Sequence, residues 1–373
     1  MKIRSLSGLL DFIEEHLDLK HQAHVERLHL SSLRFENCQT LPLSIIPTSV
    51  QEDLYPLSEA FADPRKMMFN ELMYSFGSIY SSVQLKDFFP LHIRSNYGIG
   101  IMPSIFGAES RTIGDNMPWV EPIGLERAKQ LLNEGIPDVN RGLAGRAIET
   151  NHFYMETLDG YPKCAKAIHV TQPDMQGVFD IAHLLLGTEI FYLLYDEPDS
   201  VKDFLSLITE CYIRYRKALT PYLRDQIEDD FICIHGGIYP GSVLLKEDTA
   251  MINLSPSLYE EFVLPYNKRI FQELPGSVHY CGGIQQWHYE VLDEQGTMGV
   301  NYGNPEMQEL SAVYSENYKH RRPIVGWGGN QEFTFQEAIY QNGITTGITL
   351  SCIVRDLNEG KQVIEQYKKT KQG

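Results

Sequence analysis

The sequence has no long apolar run, no glycine-, serine- or proline-rich linker, no low-complexity tract and no close internal repeat. No stretch approaches the roughly 20 apolar residues that a membrane-spanning helix requires, so no membrane association is expected. Near the start, the apolar positions break almost at once into Asp11, Glu14 and Glu15, unlike the apolar core of a secretory signal. A cytoplasmic location is therefore the expectation. Cysteine is sparse: Cys38, Cys164, Cys211, Cys233, Cys281 and Cys352 are the 6 in 373 residues. That is not the dense, even pattern of a secreted disulfide scaffold, and in a reducing compartment each is either a small buried residue or a functional thiolate. Positive charge is short as well. Against 49 acidic residues stand 32 basic ones, a formal net charge of -17, which repels a phosphate polyanion and argues against nucleic acid as a partner.

What is present is rhythm. With no linker to divide it, the chain reads as one domain over residues 1–373, a length that α/β barrels often reach as a single unit. Residues 1–60 read as an N-terminal helical extension packed on it, since Leu9, Leu10, Ile13 and Leu17 recur at helical spacing between Ser5 and Leu33. His16, His21, His24 and His29 fall in that stretch. Their spacing spreads them around the helix and no cysteine joins them, so a solvated or packing role is the better account. Further on, short apolar runs end in glycine or polar residues: 231–237, 278–283, 298–303, 324–329 and 348–352. Amphipathic segments lie between most of them. Leu258, Phe262, Tyr266, Ile270 and Leu274 follow Ser255-Pro256, an N-cap with proline at the first helical position. Val201, Phe204, Leu205, Ile208 and Tyr212 mark an earlier helix after Pro198-Asp199. Alternating strands and helices imply a parallel sheet, and the density of these units favours a (β/α)8 TIM-type barrel with additional N-terminal helices over an open α/β sheet. Functional groups then belong at the C-terminal ends of the strands.

One constellation carries chemistry. His279 and Cys281 are two apart in a predicted strand, so both side chains point to one face, and Gly282-Gly283 ends the strand there. Cys352 closes another predicted strand. Imidazole and thiolate are preferred zinc ligands, and three protein ligands with an open fourth position describe a catalytic site. A buried cysteine beside a satisfied core histidine accounts for the same residues about as well. Asn96, Trp119, Gln172, Asp174, His235, Asn301 and Asn330 are candidates to line a cavity, although loop capping explains each of them too. Of these, Asn96, Gln172, Asp174, His235 and Asn301 are taken as the substrate-binding set. Gly98-Ile99-Gly100 lacks the third glycine and the βαβ frame of a dinucleotide site.

Several segments together resemble the uroporphyrinogen decarboxylase superfamily. They are Glu247-Asp248-Thr249-Ala250, Leu254-Ser255-Pro256, Tyr259 to Pro265, the strand of His279, Cys281 and Gly282, and upstream 97–107, 116–122 and 172–177. The resemblance covers most of the chain beyond about residue 85 and implies a (β/α)8 barrel. The arginine-rich R-Q-A-G-R motif of the true, metal-free decarboxylases is absent. The H-x-C pattern followed far downstream by C is instead similar to the zinc-dependent methyltransferase branch, whose ligand positions His279, Cys281 and Cys352 match one for one.

That resemblance implies zinc as cofactor and a corrinoid protein as partner, carrying methylcobamide. The expected activity is methyl transfer between the corrinoid protein and a thiol such as coenzyme M. A zinc-dependent demethylase that loads the corrinoid from a small methoxylated or methylamine donor is the alternative, and a tetrapyrrole-acid decarboxylase the second. A barrel that only binds a corrinoid partner would leave the zinc ligands superfluous. The sequence does not say whether Glu247 and Asp248 touch metal or substrate or brace a helix.

Overall fold

The computed structural model describes residues 3–49, 54–74, 78–112, 114–328 and 343–369. Its centre is a ring of eight strands in barrel order: β1 (Leu43–Pro47), β2 (His92–Arg94), β3 (His169–Thr171), β4 (Val243–Glu247), β5 (Gly276–Tyr280), β6 (Val300–Tyr302), β7 (Ile324–Trp327) and β8 (Ile348–Val354). A continuous parallel ladder runs β1-β8-β7-β6-β5-β4, and β2 pairs parallel with β3. The two remaining seams are bridged by single backbone bonds, Phe88 N to Leu43 O at 3.2 Å and Gly177 N to Lys246 O at 2.7 Å. The protein is thus the expected α/β barrel, with helices around a parallel sheet and strand residues alternating between lumen and helix layer.

Local chemistry sets the helix ends. The N-terminal stretch is two helices, α1 (Leu6–His16) and α2 (Leu19–Leu33), because Asp18 stops the first and caps the second, accepting from Lys20 N at 3.1 Å and His21 N at 3.2 Å. Two of the histidines there tie the helix to the barrel: His21 and His29 bond through Nε2 to the carbonyls of Asp87 and Phe88 at 2.7 and 2.8 Å. The helical extension ends before β1, so the barrel begins earlier than the boundary at residue 60. α3 (Val178–Leu186) and α4 (Pro198–Leu219) follow β3, and α5 (Leu357–Lys369) packs outside β8 and β1. The single helix expected over 256–274 is two, Pro256–Phe262 and Leu264–Glu273. Pro265 lacks an N–H and its ring clashes with the preceding turn, so the helix restarts at Val263.

Two expectations are corrected. The run 231–237 is not a barrel strand. Phe231–Ile234 turns at His235-Gly236 into Gly237–Pro240, an antiparallel hairpin. It fills the lower lumen, where Phe231, Ile234, Ile238 and Tyr239 form a second core with Leu244 of β4 and Val325 of β7. The fourth barrel strand is Val243–Glu247. Also, one stretch among the described residues, 178–196, is long and apolar enough to cross a membrane, with mean hydropathy 1.4. It is 56% buried in the protein, holds Asp180 and His183, and bends at Gly187 (φ +69°), as suits a core segment.

Candidate metal centre

β5 aims His279 into the lumen, and Cys281 follows just past the strand's C-terminal end on the same side. His279 Nε2 lies 3.5 Å from Cys281 Sγ and 3.6 Å from Asp248 Oδ1, and the three ligand atoms fall within 4.8 Å of one another. Ligand atoms on one tetrahedral zinc, at bonds of about 2.0–2.3 Å, stand roughly 3.3–3.7 Å apart, so the residues present fit the ion. Asp248 Oδ1 is buried and makes no hydrogen bond within normal limits among the described residues. Gly303, after β6, closes over the group: a Cβ there would meet Cys281 Sγ at 2.9 Å and His279 Nε2 at 3.2 Å. Only a residue without a side chain leaves that face open.

The histidine's tautomer is fixed by its neighbour. Asn301 uses its Nδ2 to donate to Val325 O at 2.6 Å, which leaves Oδ1 facing His279 Nδ1. Nδ1 therefore carries the proton and donates it, and the Nε2 lone pair faces Asp248 and Cys281. This is the arrangement a metal-binding imidazole needs. Below it, the ring of His235 at the hairpin tip packs edge-on against His279, with centroids 4.8 Å apart. His235 adopts φ +45°, held by the tip's docking: Gly236 N donates to His92 Nε2 at 3.2 Å.

Two acidic groups around Asp248 are pushed toward their neutral forms. Burial, then Asp248, pushes the Cys281 thiol up to about 12. Burial, then Asp248, likewise raises Asp180 well above the usual carboxylate range. A divalent cation between these groups reverses the sign of each effect and deprotonates a ligating thiol. Beside the cluster, Lys246 Nζ bonds Asp174 Oδ2 at 2.6 Å, and Arg94 NH1 lies 3.7 Å from the same oxygen. Burial alone would raise Asp174, but Lys246 and Arg94 outweigh it and hold it at about 2. Arg94 also lines a cavity of about 590 Å³ at the C-terminal ends of β1 and β2, together with Ile46, Glu71, Asn96 and Met117. Asn96 sits in that wall, its Nδ2 donating to Glu71 Oε1 at 3.0 Å.

The structure thus brings together His279, Cys281, Asp174, His235 and Asn301, and places Asn96 on the cavity. It does not bring Cys352 into the group. Cys352 stands in register with Ile45, whose side chain faces Gly360 of α5, while Ser351 turns the other way to bond Gly326 O at 3.1 Å. Cys352 therefore points into the helix layer, one of the residues of the main core. Strand parity is the reason: the irregular register between β7 and β8 fixes which β8 residues face the lumen, and an outward row shares its face along a parallel ladder. Gln172 is also turned away, accepting from Arg216 Nε of α4 at 3.0 Å. Trp119 is 62% exposed on a short surface hairpin. Asn330 lies outside the described residues. Glu247 and Asp248 divide by face: Glu247 goes outward to Tyr259 and Asn267, Asp248 to the metal group. Lys246, Asp180, Arg94 and Gly303 went unread in the sequence. The alternation of Lys246 with Asp248 was the one available signal.

Residues 176–326 match the model of the uroporphyrinogen decarboxylase (URO-D) family. The matched segment contains β4 to β6 and most of β7, with Asp248, His279, Cys281, Asn301 and Gly303. Among solved structures, a methyltransferase from Methanosarcina mazei is similar, with TM-score 0.65 and 15% identity over 92% of this chain and 98% of that one. At that identity the likeness speaks for the barrel fold. No curated protein matches the chain.

Proposed function

We propose that this chain is a zinc-dependent methyltransferase that moves a methyl group between the methylcobamide of a corrinoid protein and a thiol such as coenzyme M, acting in the cytoplasm as one barrel domain. The observation that carries this reading is the convergence of His279 Nε2, Cys281 Sγ and Asp248 Oδ1, with the His279 tautomer set by Asn301. His279 and Cys281 are the ligands read from the sequence. Asp248 takes the third position by proximity, because Cys352 would have to turn through its strand to reach the lumen. Bound zinc supplies Lewis acidity, favouring the thiolate form of a substrate thiol at pH 7.

The chain's own residues do the rest. Asn301 keeps Nε2 of His279 unprotonated and aimed. Gly303 leaves room beside Cys281 for a substrate atom. The Lys246–Asp174–Arg94 network carries fixed charge from the cluster to the 590 Å³ cavity, where Asn96 and Glu71 offer polar contacts to a small substrate. In the transfer, a carbon–sulfur bond replaces the carbon–cobalt bond, the electron pair of the broken bond stays on cobalt, and the thiol proton is released. The test is metal analysis of protein purified without added metal, followed by the visible spectrum of methylcobalamin with enzyme and coenzyme M. One zinc per chain and a thiol-dependent, zinc-dependent loss of the methylcobalamin spectrum are expected. Full turnover by metal-free protein would overturn the reading and return the decarboxylase alternative.

A further inference from the structure

We infer that Asp180 is a positioning residue that sets Asp248 in the metal group. The inference rests on the metal reading above and names a residue that acts through a ligand rather than on substrate. Three bonds tie the segment 174–180 to the end of β4: Lys246 Nζ to Asp174 Oδ2 at 2.6 Å, Gly177 N to Lys246 O at 2.7 Å, and Thr249 N to Asp180 Oδ1 at 2.6 Å. The approach is close, for a Cβ on Gly177 would stand 2.8 Å from Lys246 O and 3.3 Å from Glu247 Cγ. Asp248 is thereby held between two pinned neighbours, Lys246 before it and Thr249 after it.

Asp180 occupies the third position of α3, where an aspartate ordinarily serves its own helix N-terminus. Here its Oδ1 leaves the helix and takes the first backbone N–H after Asp248 instead. The peptide that carries the ligand therefore has a fixed orientation before any ion arrives. β5 does the same for His279 and Cys281 through its ladder, but Asp248 lies beyond the end of β4 and has no ladder partner to orient it. Asp180 supplies what the sheet does not.

The experiment is a double-mutant cycle on zinc affinity by chelator competition, using Asp180→Ala, Asp180→Asn, Asp248→Ala and the double variant Asp180→Ala/Asp248→Ala. Removal of an outer partner of a ligand typically costs 10–100-fold in affinity, so Asp180→Ala should weaken zinc by about that factor. Asp180→Asn keeps an oxygen for Thr249 N and should rescue most of the loss. The double variant should bind no more weakly than Asp248→Ala alone, because Asp180 acts only through Asp248. Cobalt-substituted Asp180→Ala should keep its thiolate-to-cobalt charge-transfer band, showing that Cys281 and the fold persist. Wild-type affinity in Asp180→Ala, loss of that band, or independent losses that multiply in the double variant would overturn the inference and leave the metal reading standing. A wild-type protein that takes no zinc overturns the metal reading, and the inference falls with it.

Discussion

Asn301 holds His279 by its Nδ1, and the direction of that bond decides which ring nitrogen faces the site. The amide can be placed only one way round, because its Nδ2 is spent on Val325 O. Asn301→Ala should weaken zinc by about 10–100-fold, the usual cost of removing such a partner. Asn301→Asp, which keeps an acceptor for Nδ1, should lose less. Equal zinc affinity in wild type and Asn301→Ala, measured by chelator competition, would show that the tautomer is set otherwise.

Serine scanning separates the thiols. Cys281→Ser should abolish zinc retention, since a hydroxyl is a hard, weakly acidic substitute for a thiolate. Cys233→Ser should retain zinc, because Cys233 is fully buried in the lumen hairpin, away from the group. Cys352→Ser should also retain it, whereas Asp248→Ala should bind it measurably but more weakly and lose it on dialysis against chelator. Loss of zinc in Cys352→Ser with retention in Asp248→Ala, read by plasma mass spectrometry, would restore Cys352 as the third ligand.

Gly303→Ala is the steric test. Its methyl would stand 2.9 Å from Cys281 Sγ and 3.1 Å from His279 Cε1, tighter than such contacts allow. Zinc content and turnover should both fall while the unfolding midpoint of the metal-free protein stays within a few degrees. A fully loaded, active Gly303→Ala protein would mean that the site opens elsewhere.

Glu247 gives a pH signature on the outer face of the barrel. Burial lifts its carboxyl to about 7, against an ordinary 4.5, although Tyr259 and Asn267 donate to it. A carboxyl raised in the folded state contributes stability that is full below pH 4.5 and lost as pH rises through 7. The span amounts to on the order of 3 kcal/mol by linkage. Glu247→Gln, whose amide can serve both neighbours, should flatten the stability-against-pH curve between pH 4.5 and 7 and be the more stable protein above 7. Parallel curves for the two proteins in urea titrations would contradict this.

His92 gives the opposite sign. Burial holds it down at about 4, and its ring is saturated as a neutral species, with Nδ1 on Pro90 O at 2.9 Å and Nε2 accepting from Gly236 N. Protonation would set two N–H groups face to face at the hairpin tip beneath His279. A histidine depressed on folding contributes stability above pH 6.5 that is lost as pH falls through 4. Protection of the amides at 235–237, corrected for the intrinsic exchange rate at each pH, should fall across that window before that of the outer helices. Uniform exchange behaviour would separate the hairpin from His92.

The sequence by itself determined what depends on short-range geometry. Alternation of side chains along a strand placed His279 and Cys281 on one face, and the four-residue rhythm around Val201 and Tyr212 marked α4, because both follow from backbone periods that every residue carries locally. Four of the five apolar runs became neighbouring barrel strands for the same reason. The fifth, 231–237, has the same composition as the others but pairs backward on itself, and only the space inside the closed ring made it a lumen hairpin. The face of Cys352 was equally illegible. An irregular register at Gly326 and the pairing of Cys352 with Ile45 turn it outward, and a strand's parity relative to distant partners is not written in its own residues. Neighbouring Glu247 and Asp248 went to opposite layers, and Asp180 crossed from its helix to Thr249. Closure of the barrel decided these meetings, because it brings the ends of β3, β4, β5 and β6 to one rim, and long-range pairing rather than local preference fixes where that rim's side chains converge.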